Sequence, residues 1–331
     1  MESKGDNMTR RVLTSALLLV SSCLFAEAAW AQQAGKIHRI GILNPNSPAI
    51  AKKYVDAFRD EMNRLGYTDR NTLIELRYAD GRRDRLKDLA SQLVQLKVDV
   101  IFAPTEPALL AARDVTLTIP IVTVSCDPLE KLVGSLNKPG GNVTGFSCVS
   151  SALAGKRLTL LKTVIPKATR VALLYSEPDA YEPDLRNVET SAQKLGVTIT
   201  RFPVKSPADF EPAFAAMQKT AQHALYIQLS GFANFHRRTL AQLSLKHRVP
   251  GIFGFREFPE DGGFMSYGAD ASDGYRRAAY FVGRILKGAR PSDLPAEEPT
   301  RFDLVINATT AAAFGITLPA AIQLQADAII R

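Results

Sequence analysis

Residues 119–147, "IPIVTVSCDPLEKLVGSLNKPGGNVTGFS", set an apolar β-rich run before a passage rich in glycine and proline, and a second extended run after it. The closing part, "LNKPGGNVTGFS" (136–147), decides how the flanking halves are joined. A phosphate-cradling loop would need its glycines between a strand and a helix N-terminus, followed by lysine and a hydroxyl, or spaced GxGxxG. Lys138 instead precedes the glycines, and "NVTGF" reads as extended chain. Glycine tolerates backbone angles that other residues resist, so Gly140, Gly141 and Gly145 are expected to act as a hinge between two structural units.

The same grammar runs on both sides of this stretch. Before it, "KIHRIGIL", "NTLIELRYAD", "VDVIFAP" and "IPIVTVS" read as strands, separated by amphipathic helical segments such as "AIAKKYVDAFRDEMNRLG". After it, "TRVALLYS", "VTITRFPV", "AQHALYIQLS" and "VPGIFGF" alternate with helical segments in the same way. Crossovers of this length imply parallel sheets covered by helices. Two doubly wound α/β lobes fit better than one sheet of about a dozen strands, which would exceed the usual size. "GGFMSYG" (262–268), with Gly263 and Gly268, is expected to be a second crossing, and the Pro-rich "ARPSDLPAEEPT" (289–300) a third. The expected partition is 37–144 plus 262–298 for the first lobe and 145–261 plus 299–331 for the second.

The N-terminus reads as an export leader. Arg10 and Arg11 precede an apolar run from Val12 to Ala26, and Ala29-Trp30-Ala31 supplies the small residues of a cleavage site, so residues 1–31 are expected to be removed. The run is too short to span a bilayer. "VSSC" leaves a lipid anchor on Cys23 as the alternative. The full sequence has ordinary globular composition, 46% hydrophobic and 22% charged. Its net charge of +8 is interleaved with acids, as in "DGRRDRLKD" (80–88), and forms no stripe of the kind that tracks nucleic-acid phosphates. Cys126 and Cys148 flank the Gly-rich stretch and could pair in an oxidising compartment, a matter that geometry decides.

Four segments together carry a specific resemblance: the stretch at 119–147, "KRLTLLKTVIP" (156–166), "IFGFREFPEDGGFMSYG" (252–268) and "RAAYFVGRILKGARPSDLPAEEPTRFDLVINATTAAAFGITLP" (277–319). From about Arg39 to Pro319 the chain resembles the substrate-binding proteins of ABC importers in the tryptophan/tyrosine-binding-like family. The resemblance implies the type I periplasmic binding protein fold. It also implies a protein that closes on a small solute and delivers it to a membrane permease coupled to an ATPase; with the export leader, a periplasmic monomer without cofactor or metal is expected.

In such a fold the solute meets polar groups at strand C-termini and helix N-termini. The first lobe offers Asn46 and Ser47 after its first strand, Thr105 and Glu106 after the third, and Asp127 after the fourth. Asn142 and Thr144 lie in the hinge stretch; Ser176, Gln228 and Phe255 follow strands of the second lobe. Each has an ordinary structural alternative: Ser47 and Asp127 can cap helices, and Phe255 can be core. Only Asp127, Glu106, Glu177 and Arg256 offer charge near strand ends, so an amino acid, an amide, or an aliphatic or aromatic acid all remain open.

Catalysis is disfavoured. His38, His223, His236 and His247 show no i, i+4 pair, and no GxSxG elbow or neighbouring Cys-His pair occurs. A solute-sensing partner of a receptor or kinase is the alternative function, ahead of an exported enzyme.

Overall fold

The computed structural model describes residues 37–125, 135, 137, 139–147, 153–177 and 182–331. The leader, Cys23, Cys126, Asp127 and Cys148 lie outside the described residues.

Five strands, β1 (His38–Asn44), β2 (Thr72–Tyr78), β3 (Val100–Ala103), β4 (Ile121–Ser125) and β5 (Val143–Ser147), form a parallel sheet in the order β2-β1-β3-β4-β5. The first three helices are α1 (Pro48–Arg64), α2 (Leu86–Gln95) and α3 (Glu106–Val115). The sheet is buried on both faces. On β1, Ile40 and Ile42 join one cluster with α1, while Leu43 joins another with Leu89 and Leu93 of α2. Gly41 points at α2, and a β-carbon there would come within 3.1 Å of Leu93, so its lack of a side chain lets that helix approach.

The second sheet has seven strands, β6 (Arg170–Ser176), β7 (Thr198–Val204), β8 (Ala224–Ile227), β9 (Gly251–Phe253), β10 (Met265–Gly268), β11 (Asp303–Asn307) and β12 (Ala328–Ile330), ordered β12-β11-β10-β9-β8-β6-β7. All pairs are parallel except β10 with β11. Its helices are α4 (Ala154–Val164), α5 (Glu182–Lys194), α6 (Phe210–Lys219), α7 (Gly231–Phe235), α8 (Arg237–Lys246) and α9 (Glu257–Glu260). Along β6, Val171 and Leu173 face one core while Ala172 and Leu174 face the other, which is why the strand reads as an unbroken apolar run. The chain then returns to the first lobe as α10 (Ala271–Leu286), before α11 (Ala308–Ala313) and α12 (Ala320–Gln325) complete the second. Tyr275, Phe281 and Val282 of α10 share one buried cluster with Tyr54, Val55 and Phe58 of α1.

The chain therefore passes between sheets three times: after Ser147, between Gly268 and Ala271, and between Glu297 and Asp303. This moves the expected lobe boundaries. β5 stays whole in the first sheet, pairing with β4 from Ile121↔Val143 to Ser125↔Ser147. β10 belongs to the second sheet, because only the short α9 separates it from β9, and the neighbouring parallel register is the nearest place for its backbone groups to pair.

The expected hinge glycines are placed accordingly. Gly140 and Gly141 precede β5, with Gly141 in a turn at φ +73°. Gly145 lies within β5, where a β-carbon would stand 2.0 Å from the Thr123 carbonyl oxygen. Gly263 accommodates the ring of Phe258, which a β-carbon would meet at 2.4 Å. Gly268 alone among them stands at a crossing, against the Gly254 carbonyl.

Candidate solute-binding cleft

Within each sheet the order 2-1-3-4-5 recurs, as β2-β1-β3-β4-β5 and β7-β6-β8-β9-β10. The strand order reverses between the first and third strands, leaving a crevice beyond their C-terminal ends where open α/β sheets bind ligands. The two crevices face each other. Between them is a cavity, open to solvent at its mouth, with about 80 Å³ of room for the centre of a water molecule.

Each wall follows from the chain order. From the first lobe come Asn46 after β1, Arg83 after β2, Pro104, Thr105 and Glu106 after β3, and Val124 on β4. Ser230, Gly231 and Asn234 after β8, with Phe255 after β9, form the second lobe's wall. Tyr54 of α1, and Ala271 and Tyr275 of α10, close the floor.

Thr105 and Ser230 stand at corresponding places in the two lobes. The Thr105 hydroxyl accepts from the Ala108 amide at 3.4 Å, and the Ser230 hydroxyl accepts from the Ala233 amide at 3.1 Å. Both are helix caps whose remaining hydrogen-bonding capacity faces the cavity. Asn234 is 8% exposed, and its side-chain oxygen has no hydrogen-bond partner in the protein. The Tyr54 hydroxyl is likewise buried without a well-aligned hydrogen-bond partner. Burial, and then the Glu257 carboxylate, push the Tyr54 phenol well up, so it is a neutral donor. Burial also raises the Tyr275 phenol, against the Asn44 amide, which donates to its oxygen at 3.2 Å. The two rings lie 5.4 Å apart, and Tyr275 also meets Phe102 edge to face at 5.0 Å. Among the described residues the cavity thus has an aromatic body from Tyr54, Tyr275 and Phe255, polar caps from both lobes, and one residue of each charge, Glu106 and Arg83.

Of the residues singled out from sequence, Asn46, Thr105, Glu106 and Phe255 come together here. Ser47 begins α1 without a side-chain capping bond and is not in the wall. Asn142 instead donates to the Ile119 carbonyl at 2.7 Å, and Thr144 donates to the Leu294 carbonyl at 2.8 Å, so both pin chain segments within the first lobe. Ser176 and Gln228 are buried at strand ends and do not line the cavity. Asp127 lies outside the described residues. Sequence reasoning missed Tyr54 and Tyr275, because each is a helix residue whose spacing matches an ordinary apolar face, and Asn234, because the five-residue α7 is too short to give a periodic signal. None of the four histidines lines the cavity.

Two facing doubly wound lobes, three crossings and a wall drawn from both sets of strand ends define a two-lobed solute-binding protein of the type I periplasmic class. Residues 39–330 match the profile of the family described as ABC transporter substrate binding protein, and the chain belongs to that family. It is 26% identical to the tyrosine-binding protein of Clostridioides difficile strain R20291 over 277 residues, covering 81% of this chain and 76% of the relative. The structure of an ABC domain in complex with L-Trp from Streptococcus pneumonia superposes with a TM-score of 0.83 at 25% identity, covering 89% of this chain and all of that one. A ligand-free, open substrate-binding protein with adhesive properties from Clostridium difficile gives a TM-score of 0.68 at 22% identity, over 89% of this chain and 99% of that one. Membership implies a small-molecule ligand and an ABC permease as partner.

Proposed function

We propose that the protein captures a small solute with an apolar or aromatic body and at least one polar head group, an amino acid or related small organic acid, and hands it to an ABC importer. The observation that carries this reading is the cavity itself. Three aromatic rings form its body, while Thr105, Ser230 and the unpartnered Asn234 oxygen supply polar contacts from opposite lobes. A buried acceptor without a partner costs about 1–3 kcal/mol, which a ligand donor would recover. The relatives that bind tyrosine and L-Trp support an aromatic amino acid as the first candidate. Glu106 and Arg83 would suit the two charges of a zwitterion.

In this reading the protein acts by binding alone, as an exported monomer whose leader is removed after Ala31. The three crossings serve as the hinge, and contacts from solute to both lobes shift the population toward the closed form. The test is a thermal-shift series on protein unfolded and refolded to strip carried-over ligand, using L-tryptophan, L-tyrosine, L-phenylalanine, L-leucine, benzoate and indole-3-acetate. A ligand of the native state raises the melting temperature with dose. A rise with the aromatic amino acids supports the reading, whereas a rise with the carboxylates alone moves it to aromatic acids. No rise with any of the six would overturn it.

A further inference from the structure

Beside the solute cavity, the two lobes meet in a second, more charged place. Lys53 on α1 of the first lobe reaches Glu257 on α9 of the second, with Nζ 3.0 Å from Oε1, and stands 3.8 Å from Glu260 Oε2. The two sides differ sharply in exposure: the Lys53 side chain is 49% exposed and that of Glu257 only 6%. We propose that Lys53 and Glu257 are the closing pair of the cleft, positioning residues that do not touch the solute but set how readily the lobes shut around it. The inference rests on the solute-capture reading above.

Closure changes the solvation of the carboxylate. Its burial depends on α1 of the other lobe, because Lys53 and the neighbouring Tyr54, with Ala49 and Ile50, line the same recess as Glu257. When the lobes part, that covering helix moves away and water reaches the carboxylate. When they close, the charge is taken out of water, which is unfavourable unless a cation accompanies it. Lys53 is the cation on the covering helix.

Glu257 cannot easily turn away. Its short helix is fastened to the second lobe by Asn307, whose side-chain amide donates to the Pro259 carbonyl at 2.9 Å, and by the fully buried Phe258 ring seated on Gly263. Nearby cations are engaged elsewhere. Arg256 donates to Glu260 at 2.9 Å, while Arg237 and Arg238 lie 2.7 and 2.9 Å from Asp261. Lys53 also precedes Tyr54, which walls the solute cavity, so the solute contact and the closing contact sit on one turn of α1. A movement that seats Tyr54 on the solute seats Lys53 on Glu257.

This arrangement makes an asymmetric prediction. Lys53→Met leaves the buried carboxylate with the Tyr54 phenol beside it but without its cation, in the closed form only, and shifts the population toward open. Removing the carboxylate's charge as well, in Lys53→Met with Glu257→Gln, abolishes that penalty. With L-tryptophan as the probe, we expect Lys53→Met to weaken binding about tenfold through the smaller closed population, and the double variant to return to within about threefold of the parent. Small-angle X-ray scattering of the ligand-free proteins should show a larger radius of gyration for Lys53→Met and recovery in the double variant. Melting temperatures should change little, because the pair joins lobes and lies in neither core. Unchanged affinity and radius in Lys53→Met would overturn the proposal, as would a double variant no better than the single one. If the parent protein bound no probe, the solute reading would fail by itself, and the scattering of the ligand-free variants would still decide the pair.

Discussion

Thr105 and Gly231 face each other across the cleft so closely that a β-carbon on Gly231 would lie 3.8 Å from the Thr105 methyl group. Thr105 caps α3 and Gly231 is the first residue of α7, next to its cap Ser230, so the starts of two helices that follow inner strands form matching jaws. A methyl group there would make ordinary contact, and a larger side chain would press on Thr105 or enter the cavity that both residues line. Gly231→Leu should therefore hold the jaws apart or fill the cavity, weakening solute affinity by at least about tenfold, while denaturant stability changes by less than about 1 kcal/mol at this lobe-surface position. Calorimetric titration beside urea unfolding measures both; equal affinity in parent and variant would show that these jaws do not meet around the solute.

The glycines of the expected hinge separate into two physical cases. At Gly145 the close neighbour is the Thr123 backbone, 2.0 Å from the place a β-carbon would take, and backbone in a sheet cannot give way. Gly145→Ala should destabilise the first lobe by about 3 kcal/mol or more, or prevent folding. Gly141 has open space around it and only its φ of +73° to protect, so Gly141→Ala should cost about 1 kcal/mol. Neither position stands at a crossing, so Gly141→Ala should leave solute affinity unchanged. Urea midpoints and titrations of the two variants distinguish this from a hinge role, in which affinity would fall while stability held.

That distinction explains how far the sequence could be read. Alternating apolar strands and amphipathic helices made both lobes legible, since residues such as Ala172, Leu173 and Leu174 are buried on both faces of a parallel sheet. Very short elements, such as α9 and β12, carry too few residues for a periodic signal. A glycine signals either a positive φ or a close approach, and nothing local says which partner approaches. Asn46, Thr105, Glu106 and Phe255 were legible in the site because strand ends followed by polar caps have a fixed place in this topology. Tyr54 and Tyr275 were not, because the stripe that packs α1 on α10 runs directly into the cavity floor, and core and ligand wall share one helical period.

His236 supplies a pH dependence. It is half-buried among Phe210, Phe232 and Phe235, with ring centroids 5.4, 4.8 and 4.8 Å away, and this burial lowers its pKa. The folded state then disfavours the protonated ring that the unfolded chain accepts. Stability from this group is fully present above the unfolded value, about 6.5, and declines as pH falls below it toward the lowered folded value. Unfolding by urea between pH 7.5 and 5 should show decreasing stability for the parent protein, with a flatter profile in His236→Phe. Identical slopes would place the acid sensitivity elsewhere.

Asn234 tests the polar half of the cavity. Its oxygen is buried without a hydrogen-bond partner in the protein, so the ligand-free fold gains nothing from that acceptor and bears its desolvation. Asn234→Leu, which keeps the volume and removes the acceptor, should leave stability unchanged or raise it slightly. If the oxygen receives an ammonium group, a lost charged hydrogen bond of about 1.5–3 kcal/mol corresponds to about ten- to a hundredfold weaker binding. The same change should have a smaller effect on a carboxylate such as indole-3-acetate, which has no ammonium to donate. Parallel titrations with L-tryptophan and indole-3-acetate therefore separate loss of a specific donor from general damage to the wall: equal weakening of both would remove Asn234 from head-group recognition and leave Ser230 and Thr105 as the polar contacts to change next.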